Sequence, residues 1–210
     1  MKHIHSLIFL SLLITIAGCA RKRPLSKPAK IKDAIHVTGL EKELNNFHSV
    51  QTGFLYRSAQ LSPKFLEKMI KKLGIKTIIN LRGRNEHMRW WRKEQALAKK
   101  LGVTFYNIPM AAAHLPKKQN ILILLNIYQK AKTPILIHCY SGADRTGEAA
   151  ALWILEYQKL GKKEALKQLS FKYWHLQFKY PAKRRFINLW RGRQWLIHEY
   201  NPATCEQCNS

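Results

Sequence analysis

The chain has 210 residues, 46% of them apolar, which is enough for one domain with a proper core. It carries 37 Lys and Arg against 12 Asp and Glu, a net charge of +25, so a charge-balanced surface is excluded. Such a surplus repels itself in the compact state and attracts polyanions: nucleic acid, an anionic membrane surface and phosphorylated substrates all fit, as does a plain solubility feature.

The N-terminus, MKHIHSLIFLSLLITIAGC, has a short basic start and an apolar run from Leu7 to Ala17. The run is too short to span a bilayer comfortably and suits the apolar region of a signal peptide. It ends in Ile16-Ala17-Gly18-Cys19, which resembles the lipobox of bacterial lipoproteins. That resemblance implies a signal peptide over residues 1–18 and a lipidated Cys19. It also implies an exported, lipid-anchored protein on the periplasmic side of a bacterial membrane. Ala20, rather than the retention Asp, favours the outer membrane. Residues 19–34 hold Cys19 and a basic, Pro-bearing tether without apolar periodicity, whose charges can touch anionic head groups.

The domain is expected over residues 35–199, as alternating strands and helices. GFLYRS (53–58) reads as a strand. Ser62 caps a helix that opens on Pro63, runs to Lys72 and ends at Gly74. IKTIINL (75–81) is a buried strand, 86–101 a helix closed by Gly102, and VTFYNIP (103–109) another strand. Residues 117–130 are helical, with Ile121, Leu124, Leu125 and Tyr128 on the apolar face. PILIH (134–138) is apolar on both faces, as at a sheet centre. Helices are expected at 146–160, 162–171 and 182–199. The fold class is α/β, with a largely parallel sheet of four to five strands flanked by helices. Residues 200–210 form a tail in which Cys205 and Cys208 make a C-x-x-C, most simply a small disulfide outside the cytoplasm.

In such sheets the site lies beyond the carboxyl ends of the strands, and the segment HCYSGADRTG sits there. The central strand delivers Cys139 to a loop that runs straight into a buried helix. Unpaired N–H groups at a helix start cradle an anion and favour a thiolate, the attacking form of sulfur. Gly142 allows the tight reversal, Arg145 offers a planar fork to two phosphate oxygens, and Thr146 can donate to the sulfur. Tyr140, Ser141 and Ala143 complete the loop. Covalent phosphoryl transfer to sulfur follows from this set, with no metal and no cofactor.

His138, Cys139, Gly142, Arg145, Thr146 and Gly147 resemble the signature of cysteine-dependent phosphatases: His-Cys, five residues, Arg, Ser or Thr. YRSAQLSP, GIKTIINLRG and LGVTFYNIPM resemble, in that order, bacterial members of the dual-specificity-like branch, over about residues 50–190. The resemblance implies a phosphatase loop between central strand and buried helix, and a phosphomonoesterase acting through phosphocysteine. The family often carries its general-acid Asp some way upstream. Here that region reads IPMAAAHLP, where His114 is the only titratable group. Asp144 inside the motif resembles the Asp-Arg arrangement of myotubularins and of some bacterial phosphatases acting on lipids. It is the expected acid, with His114 second; a charge that only orients Arg145 is the alternative.

Arg57 and Arg82 each end a strand on the site edge, where they bind substrate phosphate or pair with carboxylates such as Glu86. Trp90 and Trp91 are a stacking or membrane-facing patch, or half core; His175 is a packed histidine. The last helix packs Phe186, Leu189, Trp190 and Leu196 and solvates its basic residues, or lies on anionic lipid. The expected substrate is phosphotyrosine in protein, or a phosphorylated lipid or inositol; no specific nucleic acid is expected. The competing reading is a polyanion-binding lipoprotein with a vestigial site. Redox pairing of Cys139 with Cys205 or Cys208 is a third.

Overall fold

The computed structural model describes residues 38–203. Cys19, the signal and tether segments, Cys205 and Cys208 lie outside the described residues. Gly39–Leu44 (α1) precedes a hairpin of His48–Gln51 (β1) and Leu55–Ser58 (β2). Pro63–Leu73 (α2), Thr77–Asn80 (β3), Arg89–Lys100 (α3), Thr104–Asn107 (β4), Lys118–Lys130 (α4) and Ile135–His138 (β5) then alternate. Asp144–Trp153 (α5) follows, continued by a π-helical turn over Ile154–Gln158. Gly161–Leu166 (α6), Pro181–Leu189 (α7) and Arg193–His198 (α8) close the domain.

The five strands lie in the order β1-β2-β5-β3-β4. β1 runs antiparallel to β2; every other pair is parallel. β5 is central, and its four residues are buried, as its apolar run predicts. Successive side chains alternate between two cores. Ile135 and Ile137 join Leu55 and Ile79 against α4, α5, α7 and α8, whereas Leu136 joins Tyr56 and Ile78 against α2 and α3.

Local chemistry sets the helix limits. Ser62 Oγ accepts from Phe65 N, Pro63 opens α2, and Gly74 ends it at φ 64°. The buried face of α2 carries Phe65, Leu66, Met69, Ile70 and Leu73, each contributing about 1.5–3 kcal/mol on burial.

The structure departs from the sequence expectation in five places, one of them the start of α3 at Arg89 rather than at 86. α1 and β1 are additional; a Thr38–Glu41 capping box starts α1. α5 begins at Asp144, two residues early. The expected helix 162–171 stops at Leu166, and the chain then makes a 3₁₀ turn over Phe171–Tyr173. The expected helix 182–199 is broken at Trp190–Gly192, where Gly192 takes φ 104°. No helix among the described residues is long and apolar enough to cross a membrane.

Candidate active site

β5 ends level with its neighbours: Ser58, His138 and Asn80 are in register. The next residue, Cys139, is therefore placed by three hydrogen-bonded strands. It is 1% exposed, and no other cysteine lies among the described residues. The loop from Tyr140 to Ala143 then turns into α5. Gly142 has φ 76°, and a Cβ there would lie 2.6 Å from backbone atoms of Ser58 and Ala59. Only glycine fits the close approach of loop to β2.

The loop is tied from outside through its carbonyls. Gln60 N donates to Tyr140 O at 2.9 Å, and Asn46 Nδ2 to Ser141 O at 3.0 Å. Arg57 Nη2 donates to Gly142 O at 2.7 Å. A trans peptide points its N–H opposite its carbonyl. Three carbonyls drawn outward thus turn the following N–H groups to the inner side; those of Ser141 and Gly142 make no hydrogen bond among the described residues, and Ala143 N donates at 3.4 Å to Ser141 Oγ. This is an anion cradle set by the fold before any ligand arrives.

Arg57 is corrected by this geometry: it is neither a substrate ligand nor a partner of Glu86. The side chain is fully buried. Nη1 donates to Gln168 O and Oε1, both at 2.8 Å, and the guanidinium lies 4.1 Å from the centre of the Tyr173 ring. Burial pulls its pKa down to about 10. Glu86 is taken by Arg84 instead.

Arg145 makes no hydrogen bond or ion pair with its side chain among the described residues, and its Nε is buried. A half-buried guanidinium with no partner among the described residues, following the loop by two positions, suits an oxyanion. Arg82 lies near both Arg145 and Cys139, and burial first, then the Arg145 charge, holds its pKa below the usual arginine range. It donates to Gln60 Oε1 at 3.0 Å and stacks on Trp90 at 3.5 Å, with the exposed Tyr140 ring 5.2 Å away. Trp90 thus belongs to the rim of the site, whereas Trp91 is core and donates to Asn107 Oδ1.

Thr146 Oγ1 is buried without a hydrogen-bond partner, so the expected bond to the sulfur is not formed. The early start of α5 carries Thr146 into the first turn instead. Asp144 is buried, and its Oδ1 lies 2.7 Å from Nδ1 of His175, itself 2% exposed. Oδ2 makes no hydrogen bond among the described residues. His114 is exposed, and its carbonyl accepts from Lys183 Nζ at 2.8 Å. Lys183 also bonds Glu148 Oε2 at 2.9 Å, both fully buried, which corrects the expectation of a solvated basic face there. Burial pushes Glu148 up to about 7, against the pull of Lys183.

Several supporting residues were not legible beforehand. His138 Nε2 sits 3.0 Å from Glu94 Oε1, both buried, and Glu94 Oε2 accepts from Gln60 Nε2. Asn46, Gln60, Glu94 and Gln168 carry no signal of their own: Asn46 and Gln60 touch the loop, Gln168 touches Arg57, and Glu94 touches Gln60 and His138. Among the described residues no group of three or more His, Cys, Asp and Glu side chains is gathered for a metal ion.

The family described as "DSP-PTPase phosphatase fused to NAD+ Kinase" matches residues 28–179. The chain belongs to this phosphatase family. It is a cysteine-dependent phosphatase, as the Cys139–Arg145 signature predicts. Solved structures share the fold. TpbA of P. aeruginosa is 21% identical, with 69% of this chain and 84% of that chain covered and a TM-score of 0.55. The core catalytic domain of the PP-IP phosphatase SIW14 from S. cerevisiae is 23% identical, with coverages of 69% and 84% and a TM-score of 0.56. PTPMT1 is 13% identical, with coverages of 68% and 94% and a TM-score of 0.54. TpbA has also been solved in complex with pTyr. No curated protein matches the chain.

Proposed function

We propose that this phosphatase is a membrane-anchored phosphomonoesterase acting on phosphotyrosine in proteins or on phosphorylated lipid or inositol. The observation that carries the chemistry is the loop itself. Its carbonyls are fixed outward, its N–H groups turn inward, and the Arg145 side chain has no partner among the described residues. The anchor rests on the Cys19 lipobox and the basic tether. The substrate range rests on the positive site rim and on the likeness to proteins described with pTyr and PP-IP.

In the first step Cys139 Sγ attacks phosphorus. The S–P bond forms, the ester P–O bond breaks, and the electron pair leaves with the alcohol or phenol oxygen. Asp144 Oδ2 gives that oxygen a proton, while Oδ1 stays bonded to His175. The loop N–H groups and Arg145 hold the three phosphoryl oxygens throughout. In the second step water attacks phosphorus, Asp144 takes its proton back, and Cys139 leaves as thiolate with release of phosphate.

The test is phosphate release without added metal from p-nitrophenyl phosphate, phosphotyrosine peptides, phosphoinositides, phosphatidylglycerophosphate and inositol polyphosphates, wild type beside Cys139→Ser. Turnover lost in the variant, with a trapped phosphocysteine in wild type, is the expected result; the best substrate decides lipid or protein. A folded, reduced protein with no turnover and no trapped intermediate would leave the polyanion-binding reading in its place.

A further inference from the structure

The segment between α6 and α7 displays large aromatic rings to solvent. Phe171 is 79% exposed, Phe178 81% and Trp174 43%. Isolated exposed apolar residues are ordinary, but Phe171 and Phe178 line one groove, and the exposed Trp174 stands between them in the chain. The segment is also firmly held. Tyr173 O accepts from Asn46 Nδ2 at 3.1 Å, and the Tyr173 ring packs under Arg57 and edge-on to His48. His175 is bonded to Asp144. The residues Tyr173 and His175 are therefore bolted inward while their neighbours point out. Trp174 stands at φ 63°, a left-handed position that glycine would occupy without strain. A bulky ring kept there at a cost in strain points to use of that ring.

Charge decides what the rings meet. From Ala165 to His198 there is no Asp or Glu, against eight Lys and Arg. Lys172 and Lys179 alternate with the aromatic residues and are exposed, and Arg184 and Arg185 follow at the start of α7. Two shallow grooves meet at Phe178 and Arg184, one bounded by Phe171 and the other by Pro181. The cores of protein interfaces are depleted in lysine. Rings interleaved with lysines instead match the boundary between acyl chains and anionic head groups.

We propose that Phe171, Trp174 and Phe178, with Lys172 and Lys179, form a docking face for an anionic lipid bilayer. The face is separate from the N-terminal anchor and leads into α7, whose Lys183, Phe186 and Ile187 are buried. Asn46 bonds both Ser141 O and Tyr173 O, so one side chain separates the docking segment from the phosphate loop. Docking brings that loop to head-group level. The inference goes beyond the phosphatase reading and does not depend on turnover.

The test is amide hydrogen exchange of residues 171–179 in the full chain, alone and with vesicles of phosphatidylcholine or of phosphatidylcholine and phosphatidylglycerol. Tethering by the N-terminus alone leaves this segment unchanged. Docking slows its exchange about tenfold on the anionic vesicles. The triple variant Phe171→Ser, Trp174→Gly, Phe178→Ser should lose the slowing and keep p-nitrophenyl phosphate turnover within about twofold, because Gly suits the left-handed position and exposed-site changes are mild. Lys172→Gln with Lys179→Gln should raise the lipid concentration needed about 25-fold, at about 1 kcal/mol per basic residue. Unchanged exchange on anionic vesicles would overturn the proposal. Slowing that appears on raising protein concentration without lipid would assign the face to a second copy of the chain. Slowing by single-stranded RNA and not by vesicles would assign it to nucleic acid, and equal slowing on pure phosphatidylcholine would overturn the role of charge.

Discussion

Replacing Arg57 by lysine keeps the positive charge and removes the planar fork. The fork now makes three short bonds, to Gln168 O, Gln168 Oε1 and Gly142 O, at 2.8, 2.8 and 2.7 Å. A lysine ammonium on a shorter reach holds one of these groups and leaves buried acceptors open. Losing two charge-assisted bonds at about 1.5 kcal/mol each costs about 3 kcal/mol. For a chain of this size that lowers Tm by about 6 to 12 °C. Turnover should fall with it, because Gly142 O is no longer drawn outward and the cradle loosens. The assay is thermal unfolding of Arg57→Lys beside steady-state kinetics on p-nitrophenyl phosphate. A group that only bound substrate would behave oppositely. A Tm within about 2 °C of wild type, with KM raised about tenfold at unchanged kcat, would refute the positioning role.

Three other perturbations test the site and its frame. Gly142→Ala places a methyl 2.6 Å from the backbone of β2 in a left-handed residue, so p-nitrophenyl phosphate turnover should fall about 100-fold while circular dichroism retains the fold. Asp144→Asn should slow an alkyl phosphate about 100-fold or more and spare p-nitrophenyl phosphate, whose leaving group needs no proton; full activity on the alkyl ester would remove Asp144 as the acid. Glu148→Gln strands the Lys183 ammonium in the core and should cost about 3–5 kcal/mol in urea unfolding, whereas Lys183→Met should cost less because Glu148 can take a proton. Burial raises the folded Glu148 pKa from 4.5 to about 7, so the unfolded chain releases this proton first. The contribution of Glu148 to stability therefore declines as pH rises across that window and is flat above it, which urea midpoints measured over the same range would check.

The parts of this fold that were legible are those written in neighbouring residues. Ser62-Pro63 and Gly74 bracket α2 in sequence as they do in space. The apolar run before Cys139 marks the central strand because both faces of β5 are covered. α1 left a signal that was readable, a Thr38-x-x-Glu41 capping box, and Gly192 marks the break between α7 and α8. β1 left none, since His48–Gln51 is polar, half exposed and paired along one edge only. Roles carried by distant contacts stayed hidden. Arg57 meets Gly142 and Gln168 across 85 and 111 positions, and no local pattern distinguishes a buried arginine that braces a loop from one that faces substrate. His175 reads as a packing residue until Asp144 is found against it, 31 positions away.

The level ending of β2, β5 and β3 has a consequence for how this site tolerates change. Each residue of β5 is matched to a residue on both sides, from Ile135 with Leu55 and Thr77 to His138 with Ser58 and Asn80. Deleting one residue from β5 would draw Cys139 about 3.3 Å back along the strand and turn it to the opposite face of the sheet. A swap among Ile, Leu and Val in the same strand alters only packing. The address of the nucleophile is thus stored in strand length rather than in strand identity. Variants that change composition leave it in place, and a single-codon deletion does not.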